Sequence, residues 1–243
     1  MSDIVPIKLV CLDLAGTTVG DIATVERAFA EAIATQGIVP GTGAYARAMV
    51  HVHRSRGQPK IDVFRGIFPE NEARAQAANL TFERAYEGAL ERSGLTPAPG
   101  IVEVLDKLRG SDIRLALLTG FSRTTLGRVL GILGWHDKID LAISPEDAGG
   151  RGRPWPDMVL HAVLRLGIPD VRQVAVAGDS ESHMLAGHRA GAVVVAGILT
   201  DSGHSRDRLV GGGATHVLPS VGALPELILS GDLGGARIPA PVR

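Results

Sequence analysis

With 243 residues, 45% of them hydrophobic and 21% charged, the chain is long enough to bury one substantial core, as a single domain or as a domain with a modest insertion. Lys and Arg number 25 against 26 Asp and Glu, so no global field exists to recruit nucleic acid or an anionic membrane surface, and neither is expected as a partner. The single cysteine, Cys11, excludes an intrachain disulfide and falls inside an apolar run, where it reads as a small buried hydrophobe. No basic region followed by an apolar stretch marks a signal peptide, and the longest apolar stretch, residues 191–199, is too short to span a bilayer, so a cytoplasmic location is expected.

In chain order, the apolar run 7–12 ends abruptly at Asp13, and the small turn Ala15-Gly16-Thr17-Thr18 follows. That is how a buried parallel strand delivers a carboxylate to its C-terminal end, where open α/β sheets bind ligands. Val25, Ala28, Phe29, Ala32 and Ile33 then recur at helical spacing until Gly37. Helical patterns continue over 45–54, 61–68 and 70–93, interrupted by Gly57-Gln58-Pro59 and Pro69, with no strand signal between about 21 and 95. Pro97-Ala98-Pro99-Gly100 reads as a stiff return linker into a helix over 101–109. Beyond it, strand patterns at 113–118, 139–143, 174–177, 192–196 and 215–218 alternate with helices. Such alternation predicts an α/β fold, a Rossmann-like doubly wound parallel sheet with right-handed crossovers. Residues 1–19 and 98–232 would form that core, 20–97 an inserted α-helical cap, and 233–243 a loose tail rich in Gly and Pro.

Four short segments stand at strand ends: Asp13-Leu14-Ala15-Gly16-Thr17-Thr18, Leu117-Leu118-Thr119-Gly120, Gly152-Arg153-Pro154-Trp155-Pro156 and Ala177-Gly178-Asp179-Ser180. Alone, Asp13 reads equally well as a turn cap and Thr119-Gly120 as an ordinary strand end. Together the segments resemble the four motifs of the haloacid dehalogenase superfamily, in the wording of its phosphonatase group, and the resemblance covers nearly the whole chain. It implies that Asp13 attacks phosphorus to form an aspartyl-phosphate, which water later hydrolyses. It also implies that Thr119, with the backbone around Ala15, Gly16 and Gly120, holds the phosphoryl oxygens. Arg153 takes the place of the more usual Lys, and its planar guanidinium can bridge two of those oxygens. Magnesium would be held by Asp13, Asp179 and the Ala15 carbonyl.

Most phosphatases of the superfamily carry an acid where this chain has Ala15, and Ala15 cannot protonate a leaving group. In phosphonatases a cap lysine does that work differently, forming an imine with phosphonoacetaldehyde so that carbon departs as an enamine. Lys60 stands at the matching position and is the one lysine of four that lies within 20–97. The chain departs from the group at Arg56 (usually Met), at Val63 (usually His) and at His183 (usually a second acid of the fourth motif). Arg56 could meet an acidic group of a different substrate. His51 and His53 read as a solvated helix face, and His188 marks the helix of His183 as one that carries exposed histidines. A softer metal ligated by His183 is the lesser alternative to magnesium.

The function expected is hydrolysis of a small phosphonate such as phosphonoacetaldehyde. The alternatives are a phosphomonoesterase without imine chemistry and a non-catalytic protein that binds a phosphorylated metabolite. A homodimer through the cap is implied by the family alone.

Overall fold

The computed structural model describes residues 6–20, 22–201 and 203–230, so the tail expected over 233–243 lies outside the described residues. Strand β1 (Leu9–Asp13) is buried along its whole length, as a central parallel strand covered on both faces must be. Four helices follow: α1 (Ile22–Thr35), α2 (Gly43–Arg54), α3 (Lys60–Ile67) and α4 (Glu72–Ser93). Local chemistry sets their ends. The Thr42 and Asn71 side chains accept hydrogen bonds from the Tyr45 and Arg74 N–H groups at the starts of α2 and α4, and Gly94, at φ 67°, closes α4.

The chain then alternates regularly. Helix α5 (Ile101–Arg109) leads to β2 (Arg114–Leu118), α6 (Arg123–Leu133), β3 (Leu141–Ile143), α7 (Asp157–Arg165) and β4 (Val174–Gly178). Helix α8 (Glu181–Ala190), β5 (Val194–Ile198), α9 (Arg206–Gly211), β6 (His216–Leu218) and α10 (Leu224–Leu229) complete it. All strand pairs are parallel, in the order β3-β2-β1-β4-β5-β6. Strand order reverses at β1, so the crevice at the C-terminal ends of β1 and β4 is the place where such a sheet binds ligands.

Of the five strands predicted after the linker, two move by two residues and the others by one at most. The 139–143 pattern yields a strand only from Leu141, because the Asp140 carboxylate turns back to accept a hydrogen bond from the Leu115 N–H. The 192–196 pattern shifts to Val194–Ile198, because the Ala192 N–H bonds the Gly187 carbonyl and so belongs to the end of α8.

The chain enters and leaves the four-helix segment through two paired crossings. The Gly20 N–H bonds the Thr96 carbonyl and the Ala98 N–H bonds the Thr18 carbonyl, with an antiparallel bridge between Val19 and Pro97. Inside the segment, Phe29, Phe64, Phe82 and Tyr86 form an aromatic cluster that ends on Phe121, just after β2, with Phe29–Phe82 centroids 4.5 Å apart and Tyr86–Phe121 centroids 4.7 Å apart. One hydrophobic cluster therefore runs from the four helices into the sheet. Among the described residues no helix is long and apolar enough to cross a membrane.

Candidate active site

Asp13 emerges at the end of β1 into a tight turn. The Gly16 N–H bonds the Val19 carbonyl, while the N–H groups of Thr18 and Val19 both bond the Leu14 carbonyl. Gly16 sits at φ 98°, and a Cβ there would stand 2.6 Å from Asp179 Oδ2, so glycine is what lets this turn close over the end of β4. Strand pairing of Leu12 with Ala177 brings Asp13 and Asp179 side by side. Both carboxylates are almost wholly buried.

Arg153 reaches in from the loop before α7 with only 3% of its side chain exposed, and its Nη1 lies 2.5 Å from Asp13 Oδ1. Its Nε and Nη2 have no hydrogen-bond partner among the described residues, which leaves two buried donors for oxygens of a ligand. Arg151, the neighbouring arginine, is 57% exposed beside Asp157 and does not enter the site. The Thr119 hydroxyl accepts a hydrogen bond from the Phe121 N–H, so its own proton remains to be donated.

His183 requires a correction. The expected exposed histidine is buried, with Nε2 3.0 Å from Asp13 Oδ1 and Nδ1 3.5 Å from Asp179 Oδ1. His183 and His188 are five residues apart, about 140° around a helix, so the half-buried His188 says nothing about the face carrying His183. The Ser180 N–H donates to Nδ1 at 3.1 Å, which makes Nδ1 an acceptor and puts the proton of the neutral ring on Nε2.

Burial works against the charge of Asp13, yet His183 and Arg153 together hold its carboxyl well below the usual range. Burial also pushes His183 down to about 4, so at neutral pH Arg153 is the cation that keeps Asp13 ionised. Asp179 moves the other way, up to about 7, through burial first and then the charge of Asp13.

The residues present fit a hard divalent cation. Oxygens of Asp13 and Asp179 lie with His183 in one group whose ligand atoms are all within 4.8 Å of one another. Asp13 Oδ2 and both Asp179 oxygens are buried without hydrogen-bond partners among the described residues. Because His183 Nδ1 already accepts from Ser180 and Nε2 carries the proton, the carboxylate oxygens are the free donors, which suits magnesium better than a softer metal.

A cavity of about 40 Å³ opens beside Asp13, with Ala15, Thr119, Gly120, Arg56 and Lys60 in its walls. Lys60 begins α3, and its backbone N–H bonds the Gly120 carbonyl. Its Nζ lies 4.8 Å from the Phe121 ring centroid and 5.9 Å from that of Phe29. The structure thus gathers Asp13, Ala15, Arg56, Lys60, Thr119 and Gly120 around one space, with Arg153 paired to Asp13 and Gly16 packed against Asp179.

Arg56 spans the site. Its Nη2 lies 3.2 Å from Glu26 and its Nη1 3.7 Å from Asp179. His53, read from sequence as solvated, is half-exposed but pairs with the same Glu26 carboxylate at 3.3 Å and lines the cavity, whereas His51 contacts Ser55 at 3.3 Å. Sequence reasoning missed Glu26, Ser180, Ser182 and His204. Glu26 had a signal, since it lies three residues from the core position Phe29 on one face of α1.

The family model for haloacid dehalogenase-like hydrolases matches residues 7–191. A phosphonoacetaldehyde hydrolase of Lactiplantibacillus plantarum is 31% identical over 211 residues, covering 81% of this chain and 77% of that protein. One from Bacillus cytotoxicus is 27% identical over 256 residues, covering 91% and 95%. The crystal structure of a phosphonoacetaldehyde hydrolase-like protein from Oleispira antarctica matches with a TM-score of 0.79 at 23% identity, over 98% of this chain and 97% of that one, which speaks for the shared fold. This chain belongs to the haloacid dehalogenase-like hydrolases.

Proposed function

We propose that the protein hydrolyses the C–P bond of a small phosphonate aldehyde, phosphonoacetaldehyde or a close relative. The observation that carries this reading is Lys60, an amine in the wall of the same small cavity as Asp13, with Ala15 where an acid would otherwise serve the leaving group. Residues 20–97 act as the cap that brings Lys60 to the core, and the paired crossings at 18–20 and 96–98 are its hinge.

The Lys60 amine condenses with the substrate aldehyde, releasing water and forming an imine. Asp13 then attacks phosphorus; the C–P bond breaks, its electron pair moves into the carbon framework as an enamine, and an aspartyl-phosphate remains. Protonation of the enamine at carbon and hydrolysis of the imine release the aldehyde and restore Lys60. Water hydrolyses the aspartyl-phosphate to phosphate and free Asp13. Arg153 and the Thr119 hydroxyl hold the phosphoryl oxygens and neutralise charge that develops on them. Asp13, Asp179 and the Ala15 carbonyl would hold magnesium, which when bound offsets repulsion between the carboxylate and the phosphonate dianion.

A second reading, phosphomonoester hydrolysis without an imine, draws on Val63. It is buried in the cavity wall and offers no group to move protons around Lys60. Phosphate release assayed with phosphonoacetaldehyde and with a panel of phosphomonoesters, each with magnesium, separates the two. The proposal expects turnover of the phosphonate; turnover confined to esters would refute it.

A further inference from the structure

The loop between α2 and α3 is docked on the N-terminus of α8 by side chains with no part in the chemistry above. The Ser182 hydroxyl donates to the Arg56 carbonyl at 2.6 Å, and the Ser180 hydroxyl lies 3.2 Å from the same oxygen and 2.8 Å from His183 Nδ1. His204 adds a second tie: its Nδ1 accepts from the Glu181 N–H at 3.0 Å, and its Nε2 lies 3.3 Å from the His53 carbonyl. Gly57 presses directly on this group. A Cβ there would stand 2.5 Å from Ser182 Oγ and 2.8 Å from both Ser180 Oγ and His183 Nε2. On its other side the imidazole meets Gly178, where a Cβ would fall 2.5 Å from His183 Cγ. The ring is therefore clamped between the end of β4 and the docked loop, with Nε2 beside Asp13.

We propose that His183 is a positioning residue that links docking of residues 55–60 to the aim of the Asp13 carboxylate. Its Nδ1 belongs to the serine cluster that grips the loop, and its Nε2–H stands 3.0 Å from Asp13 Oδ1. That contact is not aligned as a hydrogen bond here, and such contacts commonly tighten once substrate is bound. Held there by His183 and Arg153, Oδ1 fixes the plane of the carboxylate and with it the direction of Oδ2, which has no hydrogen-bond partner among the described residues. The inference rests on Asp13 being the nucleophile.

The two ring nitrogens can be tested separately, because a glutamine amide can reproduce the donor at Nε2 and an asparagine amide the acceptor at Nδ1. Two readouts are needed: steady-state turnover of phosphonoacetaldehyde, and hydrogen exchange of the backbone amides of Gln58 and Lys60 in the metal-free protein. His183→Ala should lower kcat by roughly 10- to 100-fold with KM nearly constant, and should speed amide exchange in the loop. His183→Gln should recover most of kcat but not the slow exchange, while His183→Asn should recover the slow exchange but not kcat. Gly57→Ala, whose Cβ would crowd Ser182, Ser180 and the His183 ring and so push the loop off the cluster, should lower kcat and speed exchange together. Equal effects of Ala, Asn and Gln on both readouts, or a change in KM alone, would overturn the proposal. Asp13→Asn on the same substrate keeps the two questions apart: retained turnover there refutes the nucleophile, whereas its loss with indifferent His183 variants refutes only the coupling.

Discussion

Asp179→Asn should stabilise the metal-free protein while removing its metal-dependent activity, and the gain should depend on pH. The Asp179 carboxyl is held up at about 7 against an ordinary 3.8, by burial first and then by the charge of Asp13. The folded state thus keeps a proton that the unfolded chain gives up. Asp179 costs little below about pH 4, costs progressively more up to about pH 7, and costs a constant amount above that. At about 1.4 kcal/mol per pH unit, the cost is roughly 2 kcal/mol at pH 5 and roughly 4 kcal/mol at pH 8. Asparagine keeps the shape without the charge, so the stability gap between variant and wild type should widen by about 2–3 kcal/mol between those two pH values. For a chain of this size that is a widening of roughly 4–12 °C in the difference of Tm. Thermal unfolding followed by circular dichroism in chelator at pH 5 and pH 8 measures it. A difference in Tm that is the same at both pH values would refute the argument that Asp179 is buried against the charge of Asp13.

Chelation should abolish phosphate release and added magnesium restore it, because Asp13 Oδ2 and both Asp179 oxygens, buried with no hydrogen-bond partner among the described residues, need a cation beside an incoming dianion; release unchanged by chelator would remove the metal from the account. Gly120→Ala should lower activity by roughly 10-fold or more with the fold intact, since its Cβ would press on the Gln58 carbonyl and lift the loop carrying Lys60, a loss that circular dichroism and turnover measured together distinguish from unfolding. Phe82→Ala should cost about 3–5 kcal/mol in urea unfolding, because Phe82 is fully buried at the centre of the cluster joining Phe29, Phe64, Tyr86 and Phe121.

The sheet was legible because central parallel strands are apolar along their whole length. Residues 9–12 are wholly buried, and the acid that ends the run lands at the C-terminal edge of the sheet, where a ligand site belongs. Strand edges were less so, because they depend on side chains that compete for backbone groups, as Asp140 does at Leu115. At the candidate site, the convergence of Asp13, Thr119, Arg153 and Asp179 was legible because each stands in a short motif at or after the end of a strand. His183 could not be placed, because helical spacing tells which residues share a face but not which face meets the neighbouring strand. The grip of Ser180, Ser182 and His204 on the carbonyls of His53 and Arg56 was hidden for a different reason. It joins residues more than 100 positions apart through backbone oxygens, which carry no residue identity.

The central claim, that Lys60 forms an imine while Asp13 attacks phosphorus, is tested most directly by chemical trapping. The protein is incubated with phosphonoacetaldehyde, reduced with borohydride, digested and mapped by mass spectrometry. The account predicts a reduced two-carbon adduct on Lys60, absent from Lys60→Arg, whose guanidinium keeps the charge but cannot condense with an aldehyde. Continued phosphate release from phosphonoacetaldehyde with Lys60 unmodified, or undiminished release by Lys60→Arg, would contradict it.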